Sequence, residues 1–287
     1  MKPALAVLFI ALILPASSCA ADDAGALLGK ALDELVRNGY LGDTSAAERY
    51  LHAVLADKPD HLEARWQLLL LEIVPMKNVP LSERAEALSD LSPEFARLAR
   101  LAKQSNQVAF LHYMTAMHAG LYSDYERALP EIDAAVALDP RSARYLTTKG
   151  RLLVERGRWT GSDATIEQGI AILNRARGLL RARPGPFLRD EQFEFYLAGA
   201  SSELSRPRWQ DVAEHYERFI EKSQDSVVRA YALNNASIAY TKLGECDKAK
   251  DAAEKALAVM KFGAAEFNKR YAEFCLEMQK SGLIVAP

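Results

Sequence analysis

Five histidines and three cysteines are the residues of this 287-residue sequence most able to do chemistry, and their spacing decides what chemistry is open to them. His52, His61, His112, His118 and His215 never stand three or four residues apart, so no helical turn presents a two-histidine metal site. G-x-S-x-G, H-E-x-x-H, C-x-x-C and a Gly-rich loop ahead of a helix are all missing, which removes the familiar hydrolase, metalloprotease, redox and nucleotide-binding signatures. The sequence implies no catalytic residue, no metal and no cofactor. Glu48 with His52 and Asp211 with His215 are i, i+4 pairs that read as surface electrostatics, not acid–base machinery, and His112 reads as a hydrogen-bonded core residue. Arg175, Arg177, Arg181, Arg183 and Arg189 form the densest positive run. Clustered guanidinium groups can grip an acidic partner or anionic lipid headgroups; the preferred reading is a solvated helix face balanced by Glu167, Asp190 and Glu191.

A formal net charge of -2 offers no basic face for nucleic acid, and 49% hydrophobic with 26% charged residues is globular composition. The first twenty residues stand apart from the rest. Lys2 precedes an uncharged apolar run, Ala4 to Leu14, and a small-residue exit, Pro15 to Ala20. This is the pattern of a signal peptide over residues 1–20, too short to span a membrane as a stable helix. Cleavage after Ser18-Cys19-Ala20 leaves a soluble exported, periplasmic chain beginning at Ala21. Alternatively, Ala16-Ser17-Ser18-Cys19 resembles a bacterial lipobox, which makes Cys19 a lipidation site and the protein a membrane-anchored lipoprotein. Soluble export is preferred, because Ala16 stands where that motif usually has a large aliphatic residue. Either route leaves Cys246 and Cys275 in an oxidising compartment, as a disulfide or as two buried thiols.

The elements that position these residues are helices in pairs. The clearest stretch is Ala230 to Leu257, where Leu233, Ala236, Ser237 and Tyr240 share one helical face. Gly244 supplies the turn, and Ala249, Ala253, Ala256 and Leu257 form the stripe of a second helix. Ala47, Leu51, Val54 and Pro59 recur in spacing as Ala128, Ile132, Ala135 and Pro140. Capping boxes are expected at Ser45/Glu48, Asp60/Glu63 and Ser123/Glu126, and Gly157 is expected to end the helix that begins at Ala143. These units resemble tetratricopeptide repeats (TPRs), helix–turn–helix pairs of about 34 residues. The copies are degenerate: the landmarks Ala47, Phe95, Ala128, Gly169, Val212 and Ala249 recur at uneven gaps.

The resemblance implies an all-α, TPR-like solenoid over residues 21–280, of about six helix–turn–helix pairs plus a C-terminal capping helix, followed by a tail at 281–287. The apolar stripe Phe267, Tyr271, Phe274 and Met278 suits the inner face of that cap. A TPR stack brings the end of the cap beside the Gly244 turn, which places Cys275 and Cys246 within disulfide range. The resemblance also implies a concave groove lined by the first helix of each pair, here exposing Phe110, Tyr113, Met117, Arg144, Thr147 and Arg151, a mixture suited to recognition. Only Asn234 and Asn235 resemble part of the Lys/Asn set that clamps a peptide carboxylate, so a chaperone-tail ligand is not indicated. The implied function is a non-enzymatic interaction or assembly scaffold in the bacterial envelope with a protein or peptide partner. A small-molecule or lipid-binding TPR-type lipoprotein of solute uptake is the alternative.

Overall fold

The computed structural model describes residues 24–78 and 81–283, and every regular element among them is helical. The leader, Cys19 and the last four residues lie outside the described residues. Helices α1 (Ala24–Asn38) and α2 (Ser45–Asp57) form the first hairpin. In the second, α3 (Leu62–Ile73) is followed by a 3₁₀ turn (Pro75–Asn78) and an inserted helix α4 (Leu81–Asp90) before α5 (Ser92–Gln104). Then come α6 (Val108–Leu121) with α7 (Tyr125–Leu138), α8 (Ala143–Thr160) with α9 (Asp163–Ala182), α10 (Asp190–Ser202) with α11 (Trp209–Lys222), and α12 (Ser226–Leu243) with α13 (Cys246–Val259). Helix α14 (Gly263–Lys280) closes the series against α13 and α12. The fold is a TPR-like α-solenoid.

Apolar spacing explains the pairing. On α11, Val212, Ala213, Tyr216 and Phe219 are all buried, and each large side chain so removed from water contributes about 1.5–3 kcal/mol. Small residues bring α13 close to α12: Ala249, Ala253 and Ala256 are fully buried, which large side chains at those positions would prevent.

Several expected helix ends move by a residue or more. The N-cap of α2 is Thr44, whose hydroxyl donates to Glu48 Oε1 at 2.6 Å. That of α3 is His61, whose Nδ1 accepts from the Ala64 amide at 3.3 Å, which frees Glu63 for another role. Asp124 caps α7 through the Arg127 amide at 3.2 Å, while Ser123 takes the left-handed turn position at φ 59°. Helix α8 runs past Gly157 to Thr160, because the left-handed residue that stops it is Gly161 at φ 65°. Pro130 lies on the exposed face of a continuous α7.

The solenoid curls until its first hairpin meets its fifth and sixth. Arg189, before α10, donates to Asp33 of α1 at 3.1 Å across 156 residues. Gly39, at φ 69°, abuts the Asp225 carboxylate so closely that a Cβ there would collide with it. Asp225 in turn caps α12, accepting from the Val228 amide at 2.9 Å.

Candidate functional site

First helices α3, α6 and α8 converge on the interior of this curl. Trp66 on α3 is fully buried, with its ring edge-on to Phe110 and Tyr113 of α6 at centroid distances of 6.2 and 5.8 Å. Beside them Arg144 of α8 lies 5.0 Å from the Phe110 centroid, 4.6 Å from that of Tyr113 and 4.3 Å from that of Phe187. Its Nη1 and Nη2 donate to Glu63 at 2.8 and 3.1 Å. Burial pulls the Arg144 pKa down, but the Glu63 carboxylate and Tyr113 more than offset this, so the guanidinium is held firmly protonated. A buried pair of this kind adds little net stability over an apolar pair, while loss of one partner is strongly destabilising.

Tyr40, from the α1–α2 turn, enters the same interior and donates to Gln67 Oε1 at 2.5 Å. Burial raises its phenol pKa well above the usual range. Two turns further along α8, Arg151 lies 4.9 Å from the Tyr196 centroid. Arg151 and Met117 line a cavity of about 20 Å³, room for about one water.

The expectation of an exposed recognition surface here is therefore corrected. Phe110, Tyr113 and Thr147 are 6, 5 and 4% exposed, Arg144 is committed to Glu63, and only Met117 and Arg151 reach the small cavity. The physical reason is curvature: when a solenoid closes on itself, both faces of a first helix are covered. Helix α6 is also rotated from the expected setting. Met114 is buried, while His112 and Thr115 are half-exposed and His112 Nδ1 lies 2.7 Å from Glu131 Oε2. The Glu63–Arg144 pairing spans 81 residues and left no local signal in the sequence.

Two arginines of the run are neutralised by carboxylates of α10. Arg177 and Arg181 both hold Asp190 through paired bonds of 2.6–2.9 Å, and these bonds keep the Asp190 pKa below the usual carboxylate range. Arg175 donates to the Pro140 carbonyl. Arg177 also reaches Glu194 of α10, a carboxylate only 3% exposed that meets His215 Nδ1 at 2.6 Å and Arg218 Nε at 3.1 Å on α11. His215 is thus partnered by Glu194, not by its helical neighbour Asp211. Among the described residues no group of three or more His, Cys, Asp or Glu could hold a metal ion, and no helix is long and apolar enough to cross a membrane.

The exposed chemistry lies at the C-terminal end. On α14, Phe267, Tyr271 and Phe274 are 68, 45 and 54% exposed, and the Phe267 and Tyr271 rings stack with centroids 6.3 Å apart. Leu283, beyond the end of the helix, is exposed as well. This reverses the expected orientation of the cap. Its inner face is made instead by Ala265, Ala272 and Cys275, because small residues allow closer approach to α13 and α12 than aromatic ones. Asn268 donates to Asn234 Oδ1 at 2.8 Å and Gln279 to the Gly244 carbonyl at 2.6 Å. A disulfide joins Cys246 to Cys275, with their Cα atoms 5.6 Å apart. The aromatic face is therefore carried on a helix fixed at both its middle and its end.

No family model matches this sequence. Nor does any curated protein. Among solved structures, a crystal structure of MamA protein is similar at 17% identity, covering 62% of this chain and 91% of that one with a TM-score of 0.43. A likeness of that degree bears on neither partner nor activity, which rest on the residues described above.

Proposed function

We propose that this chain is a non-catalytic assembly scaffold that binds a protein partner on the aromatic face of α14, and that it works after export, in the bacterial envelope. The observation that carries the reading is the stripe Phe267, Tyr271 and Phe274, aromatic, on one helical face and open to solvent on a helix held by a disulfide. Isolated exposed hydrophobics are ordinary, but a contiguous patch marks an interaction site. Aromatic side chains provide most contact area per ordered rotamer, and pre-ordering of α14 lowers the entropic cost of binding. The disulfide accords with an oxidising compartment. A photo-crosslinking residue placed at Phe274 in the native envelope should give protein adducts that the same residue at Asp251, exposed on α13, does not. Equal labelling at both positions, or none, would refute this reading.

A second reading, a binder of small apolar anions, has one observation in its favour. Phe95, Ala99, Leu111, Met114 and His118 line a cavity of about 210 Å³ with Arg127 at its rim. His118 Nε2 is buried without a hydrogen-bond partner, and desolvation, then Arg127, lower the His118 pKa. A hydrophobic carboxylate would fill both needs. Calorimetric binding of such a compound to wild type, abolished in Arg127→Ala, is the supporting result; absence of heat across a series of such compounds counts against it.

A further inference from the structure

Helix α14 repeats α12 in register. Asn268 stands 34 residues after Asn234 and bonds to it, and in that register Phe267, Tyr271 and Phe274 take the places of Leu233, Ser237 and Tyr240. In α12 those three positions are buried, Ser237 completely, within the hairpin that α12 makes with its antiparallel partner α13. Helix α14 has the equivalent face and no partner helix over it among the described residues. What the face lacks is one antiparallel helix.

We propose that this helix is α14 of a second copy, giving a two-fold symmetric dimer. Resting on the protein-binding reading above, the inference identifies the partner. The charges beside the stripe decide in favour of self-association. Arg270 and Glu277 are exposed, stand seven residues apart on the same flank of the stripe, and neither makes an ion pair among the described residues. In an antiparallel pair related by a two-fold axis, like flanks meet. Centring the axis beside Phe274 sets Arg270 of each copy opposite Glu277 of the other, two complementary contacts from one unpaired cation and one unpaired anion. The Tyr271 and Phe274 rings of the copies then meet at the centre, and each Phe267 lies over the C-terminal part of the other α14. A parallel two-fold pair would bring opposite flanks together, so that Arg270 and Glu277 would not meet across the interface.

Sedimentation equilibrium of the purified, disulfide-intact protein tests this. Wild type should be a dimer. Phe274→Glu should raise the dimer Kd by about 100-fold, with an unchanged helical circular dichroism spectrum. Arg270→Glu and Glu277→Arg should each raise the Kd about tenfold, and the double variant R270E/E277R should return it toward the wild-type value. Wild type that stays monomeric up to hundreds of micromolar overturns the inference, as does a dimer indifferent to the reversals or one that the charge swap fails to restore. The crosslinking experiment separates the two proposals. An adduct at Phe274 with the mass of two chains supports both, an adduct of another mass refutes the dimer but keeps the scaffold, and no adduct refutes both.

Discussion

Replacing Glu194 by Gln keeps the shape of the residue and removes its charge, which isolates what the buried carboxylate does for the junction of α9, α10 and α11. Burial alone would raise its pKa, but bonds from His215, Arg177 and Arg218 outweigh desolvation and lower it from 4.5 to about 2. At about 1.4 kcal/mol per tenfold change in proton affinity, that depression corresponds to about 3.5 kcal/mol of native-state stability at neutral pH. Little of this is lost to solvent screening, since the side chain is 3% exposed. The sign follows from linkage: with the folded pKa below the unfolded one, the contribution is complete above about pH 5 and is lost as pH falls through 4.5 toward 2. Urea denaturation should therefore show Glu194→Gln destabilised by about 3.5 kcal/mol at pH 7, with the gap from wild type narrowing by about 2 kcal/mol at pH 3. Asp190, whose bonds to Arg177 and Arg181 also lower its pKa, loses stabilising effect over the same range, but in both proteins, so the difference reports chiefly on Glu194. An unchanged midpoint at pH 7, or a gap constant from pH 7 to pH 3, would refute the account.

Tyr113→Ala should lower stability by about 3 kcal/mol or more in denaturant titrations, because it empties part of the Trp66–Phe110–Arg144 cluster; a variant of wild-type stability would return Tyr113 to the surface. Gly39→Ala should cost more than about 1 kcal/mol, since Ala is disfavoured at that φ and its Cβ meets Asp225. Faster hydrogen exchange at the ends of α1 and α12 is the local readout. Non-reduced protein should be refractory to thiol alkylation at Cys246 and Cys275, and reduction should lower stability by about 2–4 kcal/mol; ready alkylation of both without reductant is the contrary result.

Much of the architecture can be read directly from periodicity. The α12–α13 hairpin follows from the Leu233–Tyr240 stripe, the Gly244 turn and the alanines of α13, because helix pairing depends on contacts close in sequence. The Cys246–Cys275 link belongs to the same class, since the repeat geometry sets how the last helix lies on its neighbour. Periodicity shows that α6 and α14 each have an apolar stripe, but not which neighbour covers it. On α6 the tertiary curl buries Phe110 and Tyr113 and sets Arg144 on Glu63 from 81 residues away; on α14 small residues win the inner face and leave Phe267, Tyr271 and Phe274 in water. Helix identity is local, because each turn is set by residues three and four apart. Which face becomes a surface is a property of superhelical curvature, summed over many small hairpin rotations and fixed by contacts such as Asp33 with Arg189, 156 residues apart.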